Sequence, residues 1–211
     1  MMNEEGYIKF ECVWQDSPVD IPVDLLNSLN AWRNKLYRLS LVGAYTNGVG
    51  FGNISIKKEP TSFYITGSAT GVKPNLDSSD YAWVTKWEIK NNRLFCTGKT
   101  RASSESLTHA AIYASASHIH AVIHIHSENM WNYYRNLIPT TSSRVEFGTP
   151  EMALEMMRLL KKLNFPDKGL LVMGGHREGI LAFGKTLDEA GNHLLDHYYH
   201  FRNNTDISEP A

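Results

Sequence analysis

Glu105-Ser106-Leu107-Thr108-His109-Ala110-Ala111-Ile112-Tyr113-Ala114-Ser115 and, after a short break, Ala121-Val122-Ile123-His124-Ile125-His126 decide the fold class. In the first run Leu107, Ala110, Ala111 and Ala114 recur at helical intervals and form one apolar stripe. The second run reads as a strand. A helix therefore feeds a strand, the step from which α/β architectures are assembled.

The flanking sequence extends this pattern. Leu25, Leu29, Trp32, Leu36 and Leu39 predict an amphipathic helix over 23–40, with Gly43 as its stop. From 52 to 97 the texture shifts to short β-rich runs, Ile54-Ser55-Ile56, Phe63-Tyr64-Ile65, Trp83-Val84-Thr85 and Leu94-Phe95-Cys96, separated by Gly, Pro, Asn and Asp. Beyond the histidine strand, Thr149 and Pro150 open a helix with the stripe Met152, Met156, Leu159 and Leu163. Its acids Glu151 and Glu155 come early and Lys161 and Lys162 late, the order that complements the helix dipole. Segments 170–173 and 179–183 read as two strands joined by the turn Gly174-Gly175-His176-Arg177-Glu178. Thr186 and Glu189 form a capping box for a last helix buried along Leu187, Ala190, Leu194 and Tyr198. The expectation is one α/β domain over 23–202, a mostly antiparallel central sheet covered by helices. An extension over 1–22 precedes it and a polar, frayed tail over 203–211 follows.

At 211 residues the chain is long enough for a sizeable core. Lys and Arg (21) nearly balance Asp and Glu (22), for a net charge of -1, so the chain lacks the basic field that sequence-independent nucleic-acid binding requires. Its two cysteines, Cys12 and Cys96, are too few for a disulfide framework, which points to a reducing cytoplasm. Met1 to Phe10 carries Glu4, Glu5 and Lys9 and resembles no signal peptide, and no apolar run reaches membrane length. Neither nucleic acid nor membrane is an expected partner.

Chemistry concentrates in the histidines. Residues i and i+2 of a strand project from one face, so His124 and His126 can aim both imidazoles at one ion while Ile123 and Ile125 face the core. His118 and His120 share that parity, but at about 3.3 Å per residue His120 lies roughly 13 Å from His124 and falls outside the site. The best third ligand is His176, exposed on its glycine-bounded turn. Three histidines would leave a tetrahedral zinc one open position, the arrangement of catalytic sites. An HxH pair alone reads equally well as an ordinary strand with polar positions. Upstream, Arg101-Ala102-Ser103-Ser104-Glu105 offers hydroxyls and amides at a helix start, either an anion site or a plain N-cap. The glycine turns Gly50-Phe51-Gly52-Asn53-Ile54-Ser55 and Thr66-Gly67-Ser68-Ala69-Thr70-Gly71 have the groups of anion nests but, singly, are ordinary turns.

Gly52-Asn53-Ile54-Ser55, Ile65-Thr66-Gly67, Ser103-Ser104-Glu105, the strand through His124 and His126 to Ser127, and His176 followed by Gly184-Lys185-Thr186-Leu187-Asp188-Glu189-Ala190 together resemble the class II aldolase/adducin family, over about residues 25–199. The resemblance implies a single-domain α/β/α sandwich, often a cyclic homotetramer with sites between subunits. It implies that His124, His126 and His176 bind zinc, other divalent metals being alternatives, and that Asn53, Thr66, Gly67, Ser103 and Ser104 hold a substrate phosphate. Glu105 takes the place of the family's acid/base carboxylate. The implied reaction is retro-aldol cleavage of a small ketose phosphate through a zinc-stabilised enediolate, with no lysine Schiff base. A ketose-phosphate dehydratase or a metal-dependent decarboxylase would use the same groups. An adducin-like interaction module need not keep the three histidines.

Three departures stand out. Gly175-His176-Arg177 replaces the family's Asn-His-Gly, making Arg177 a candidate substrate contact. Thr140-Thr141-Ser142-Ser143 stands where family epimerases carry Thr-His-Ala-Asp, which argues against an epimerase. The tyrosine that family aldolases take from an adjoining subunit has candidates in Tyr133, Tyr134, Tyr198 and Tyr199, each read by default as a core or interface residue.

Overall fold

The strand parity expected of residues 121–126 organises the whole molecule. In the computed structural model, which describes residues 7–205, β8 (Ala121–His126) lies inside an eight-stranded sheet. The other strands are β1 (Glu11–Asp16), β4 (Asn53–Glu59), β5 (Ser62–Thr66), β6 (Tyr81–Glu88), β7 (Arg93–Gly98), β9 (Gly169–Val172) and β10 (Gly179–Gly184). Their order is β1-β7-β6-β5-β4-β8-β10-β9. Every neighbouring pair is antiparallel except β1 and β7, which run parallel. A separate small hairpin pairs β2 (Gly43–Ala44) with β3 (Gly50–Phe51).

Each face of the sheet carries its own core. Ala121, Ile123 and Ile125 of β8 pack with α1 (Val23–Arg38), α3 (Glu128–Tyr134) and α5 (Leu187–Thr205). Val122, on the opposite parity, joins the core under α2 (Ser106–Ser115) and α4 (Pro150–Lys162). His124 and His126 share the parity of Val122, so they enter the second layer, at the end of the sheet where α2 begins. Register then places the site's neighbours: Asn53 of β4 lies opposite His124, and Gly179 of β10 opposite His126.

The capping expected at α4 is present, with Thr149 Oγ1 accepting from the Met152 amide at 3.3 Å. At α5 the Thr186 hydroxyl accepts from the Glu189 amide at 3.0 Å, while Glu189 Oε2 accepts from Lys185 N–H at 2.7 Å. Three features differ from expectation. The extension contributes β1, whose half-buried Cys12 and Trp14 alternate with exposed residues, Trp14 donating to the Gly98 carbonyl at 2.9 Å. Residues 203–205 of the expected tail continue α5, Thr205 bonding back to the Phe201 carbonyl at 2.8 Å. The short helix α3 follows β8 directly, capped by Ser127. The remainder of the tail, 206–211, and the first six residues of the extension lie outside the described part. No helix among the described residues is long and apolar enough to cross a membrane.

Because Ile123 is wholly buried between the two histidine-face positions, Ile123→Ala is expected to cost about 2–5 kcal/mol. Urea denaturation should show this as a lower midpoint at unchanged slope.

Candidate active site

β8 delivers two imidazoles and the turn before β10 delivers the third. The turn closes through Met173 N–H to the Gly179 carbonyl (3.0 Å), His176 N–H to Met173 (3.1 Å) and Gly179 N–H to His176 (2.9 Å). Gly179 must lack a side chain, since a Cβ there would lie 2.8 Å from His176 Nδ1. The three rings meet at centroid separations of 4.9 Å (His124–His126), 5.1 Å (His124–His176) and 4.7 Å (His126–His176). One ligand atom from each lies within 4.8 Å of the others. His176, expected to be exposed on its turn, is instead 2% exposed. Its ring turns inward and stacks on Phe147 at 4.0 Å and 18°.

His124 tests whether this set fits a cation. It is fully buried, and neither ring nitrogen has a hydrogen-bond partner among the described residues. Burial first, then the neighbouring His126, His176 and His109, push its pKa well below the ordinary imidazole range. It is therefore neutral, the form that binds metals. Three imidazoles converging from one side suit a borderline-soft divalent ion such as zinc and leave coordination positions for substrate. Around them, Phe51 stacks on His126 at 5.4 Å and 23°. The Tyr45 hydroxyl lies 2.8 Å from His126 Nδ1 and donates to Glu178 Oε2 at 2.7 Å. The nearby His126 ring first, and then the bond from Tyr45, hold the Glu178 carboxyl below its usual range.

Glu105 occupies the N-cap position of α2, without a side-chain capping bond among the described residues, and is 1% exposed. Its Oε2 accepts from Thr108 Oγ1 at 2.8 Å, which fixes the carboxylate's rotamer. It borders the histidines through the 147–148 segment: Phe147 covers His176, and a Cβ on Gly148 would sit 3.9 Å from Glu105 Oε1. One turn further along α2, His109 is wholly buried, its Nδ1 2.7 Å from Ser55 Oγ, which in turn lies 2.7 Å from the Tyr113 hydroxyl. Burial lowers the His109 pKa to about 3.

Beside the histidines lies a polar pocket lined by Asn53, Ser103, Ser104, the backbone of Gly50 to Gly52 and the turn from Gly67 to Gly71. Asn53 Oδ1 is buried and has no hydrogen-bond partner among the described residues. Ser103 Oγ accepts from the Glu105 amide at 3.3 Å. Thr66 and Gly67 are held by hydrogen bonds to neighbouring segments. The Thr66 hydroxyl accepts from Ile54 N–H at 3.1 Å, and Gly67 N–H donates to the Asp80 carbonyl at 2.7 Å. Thr66 lines an adjoining crevice with Asn53 and Thr70. Behind this turn the buried Arg33 donates to the Pro74 carbonyl at 2.6 Å and approaches those of Thr70 and Gly71. A guanidinium there adds fixed positive charge under an anion pocket.

Several candidates stay outside. Arg177 is largely exposed and pairs with Glu128. Tyr133, Tyr134 and Tyr198 pack among α3 and α5, Tyr134 donating to the His197 carbonyl at 2.7 Å, and Tyr199 is half exposed beside Tyr198. Thr141 serves the turn, its hydroxyl accepting from Gly174 N–H at 2.8 Å. His118 sits at 3.3 Å from the Pro166 carbonyl, away from the cluster. Sequence reasoning did not assign site roles to Tyr45, Glu178, His109, Arg33, Phe147, Thr70 or Gly71. The Thr70-Gly71 pair lay within a turn already quoted; the others carry no local motif.

The chain belongs to the class II aldolase and adducin N-terminal domain family, whose model matches residues 35–202. A search of curated protein sequences found no match. Among solved structures, an L-fuculose 1-phosphate aldolase is similar at TM-score 0.62 and 22% identity, over 87% of this chain and 85% of that one. Escherichia coli YgbL, a candidate aldolase/epimerase/decarboxylase, is similar at TM-score 0.63 and 16% identity, over 89% and 91%. A sugar-phosphate aldolase from Thermotoga maritima gives 0.57 and 16%, over 84% and 90%. At these identities the likeness establishes the fold.

The buried His109 makes stability pH-dependent. Its folded pKa, about 3, lies below the ordinary 6.5 of the unfolded chain. Stability is therefore complete above pH 6.5 and lost as pH falls toward 3, at about 1.4 kcal/mol per pH unit for this one group. Denaturation of the metal-free protein between those values should show a slope shallower by about one proton in His109→Asn than in the wild type.

Proposed function

We propose that the protein is a metal-dependent lyase, an aldolase that cleaves a small ketose phosphate by a retro-aldol reaction with zinc held by His124, His126 and His176. The observation that carries this reading is His124, buried and neutral with two unpartnered nitrogens beside two further imidazoles. Its burial is costly in the absence of a ligand. A divalent cation bound there supplies Lewis-acid charge next to the oxyanion that develops as the carbon–carbon bond breaks.

The chain's own groups do the rest. Glu105, with Oε2 anchored by Thr108, moves the proton between substrate and carboxylate. Asn53, Ser103 and Ser104 hold the phosphate, helped by the positive end of α2 and the turn that contains Thr66 and Gly67. Phe51 and Phe147, stacked on two of the histidines, exclude water from the reacting end. Family membership supports assembly as a homotetramer, and the two free cysteines, Cys12 and Cys96, support a cytoplasmic enzyme.

The test is product analysis with zinc-loaded protein and a panel of ketose 1-phosphates. Dihydroxyacetone phosphate should appear, disappear with chelator, and fall by about 10²–10⁴-fold in kcat for Glu105→Gln. In His124→Ala, metal content should drop from about one ion per chain; full occupancy would remove the ligand assignment. Loss of water or of carbon dioxide instead would identify a dehydratase or decarboxylase working with the same groups. Sugar-phosphate binding without turnover would identify an adducin-like module.

A further inference from the structure

We infer that Tyr45 and Glu178 are positioning residues of the metal centre, linked as a relay from His126 Nδ1–H to the Tyr45 hydroxyl to the Glu178 carboxylate. The relay fixes the tautomer of His126 and turns its Nε2 toward the cation. It rests on the reading of His126 as a ligand.

The Tyr45 oxygen lies 2.8 Å from His126 Nδ1 and 2.7 Å from Glu178 Oε2. A phenol has one proton to give, and an ionised carboxylate can only accept. Tyr45 therefore donates to Glu178 and accepts at the imidazole, which places the ring's proton on Nδ1. In a neutral imidazole the lone pair is then on Nε2. The carboxylate does not reach the ring itself, since Nδ1 and Oε2 are 3.7 Å apart, so the phenol is the necessary bridge. Nor is Glu178 a fourth ligand: the one cluster of metal-binding atoms among the described residues holds the three histidines alone.

The surrounding backbone is arranged for this contact. Glu178 adopts φ +79°, a conformation uncommon outside glycine. A side chain held there at a steric cost points to a task for its carboxylate. The turn is tied to the end of β8 by Ser127 N–H donating to the Glu178 carbonyl at 2.9 Å. Tyr45 is presented by the small hairpin, its amide donating to Val49 at 2.9 Å and its ring lying 4.7 Å from Phe51. Phe51 itself stacks on His126, so one hairpin both covers that histidine and orients it.

Competition of the zinc-loaded protein with a chromophoric chelator tests the relay. Tyr45→Phe and Glu178→Ala should each weaken zinc retention by about 10- to 100-fold, the effect expected of an outer-layer partner. The double variant should be no weaker than the singles, and Glu178→Gln, whose amide oxygen still accepts from Tyr45, should recover part of the loss. Melting of the metal-free proteins should be unchanged in Tyr45→Phe. Long-range proton–nitrogen spectra of the metal-free wild type should show His126 in the Nδ1–H form. Zinc retention in both singles equal to the wild type, or His126 in the Nε2–H form, overturns the relay. A wild type that retains no zinc overturns the metal-centre reading and the relay's role with it.

Discussion

An imidazole buried from water must be neutral and must satisfy its nitrogens, and His124 finds no partner for either one within the described chain. Each such orphaned polar atom costs about 1–3 kcal/mol. Two more histidines crowd the same space, and their rings further disfavour a proton on it. A core built for stability alone would place an aliphatic side chain there. The surrounding structure accepts this cost, and part of it is offset when a cation takes the one lone pair a neutral imidazole offers, because binding to the folded state alone adds to stability.

The parity of one strand lets the fold carry that burden. Ile123 and Ile125 anchor β8 in the core shared by α1 and α5, which makes a slip of register unfavourable on that face. With register fixed, His124 and His126 have no choice of direction. The antiparallel partners then bring Asn53 opposite one histidine and Gly179 opposite the other. The pocket and the third ligand's turn thus inherit their positions from backbone pairing, which holds a site more precisely than loops do.

What could be read from sequence follows the same division. Strand parity is a local property, so the pairing of His124 with His126 and the core-facing isoleucines were legible. The helix starts were legible too, because caps such as Thr149 act within one turn. His176 was legible as the third histidine of the cluster, but its burial depends on Phe147, a contact between segments distant in sequence. The bonds that fix Thr66 and Gly67, from Ile54 N–H and to the Asp80 carbonyl, likewise join segments distant in sequence. β1 was missed because this edge strand buries only Cys12 and Trp14, and only in part, which leaves no strong apolar signal. Tyr45 and Glu178 meet only through the folding of a hairpin onto a turn.

Register also explains why the polar pocket and the histidine cluster form one site. Asn53 belongs to both: it pairs across the ladder with His124 and lines the pocket. Phe51 likewise covers His126 and lines the pocket. Glu105 stands at the N-cap position of α2, directly after Ser103 and Ser104 of the pocket wall, so the carboxylate and that wall are adjacent in the chain. Under the proposed function, a substrate held at its anionic end in this pocket would meet the histidines at a spacing set by adjacent strands, and positioning of that kind converts binding into rate.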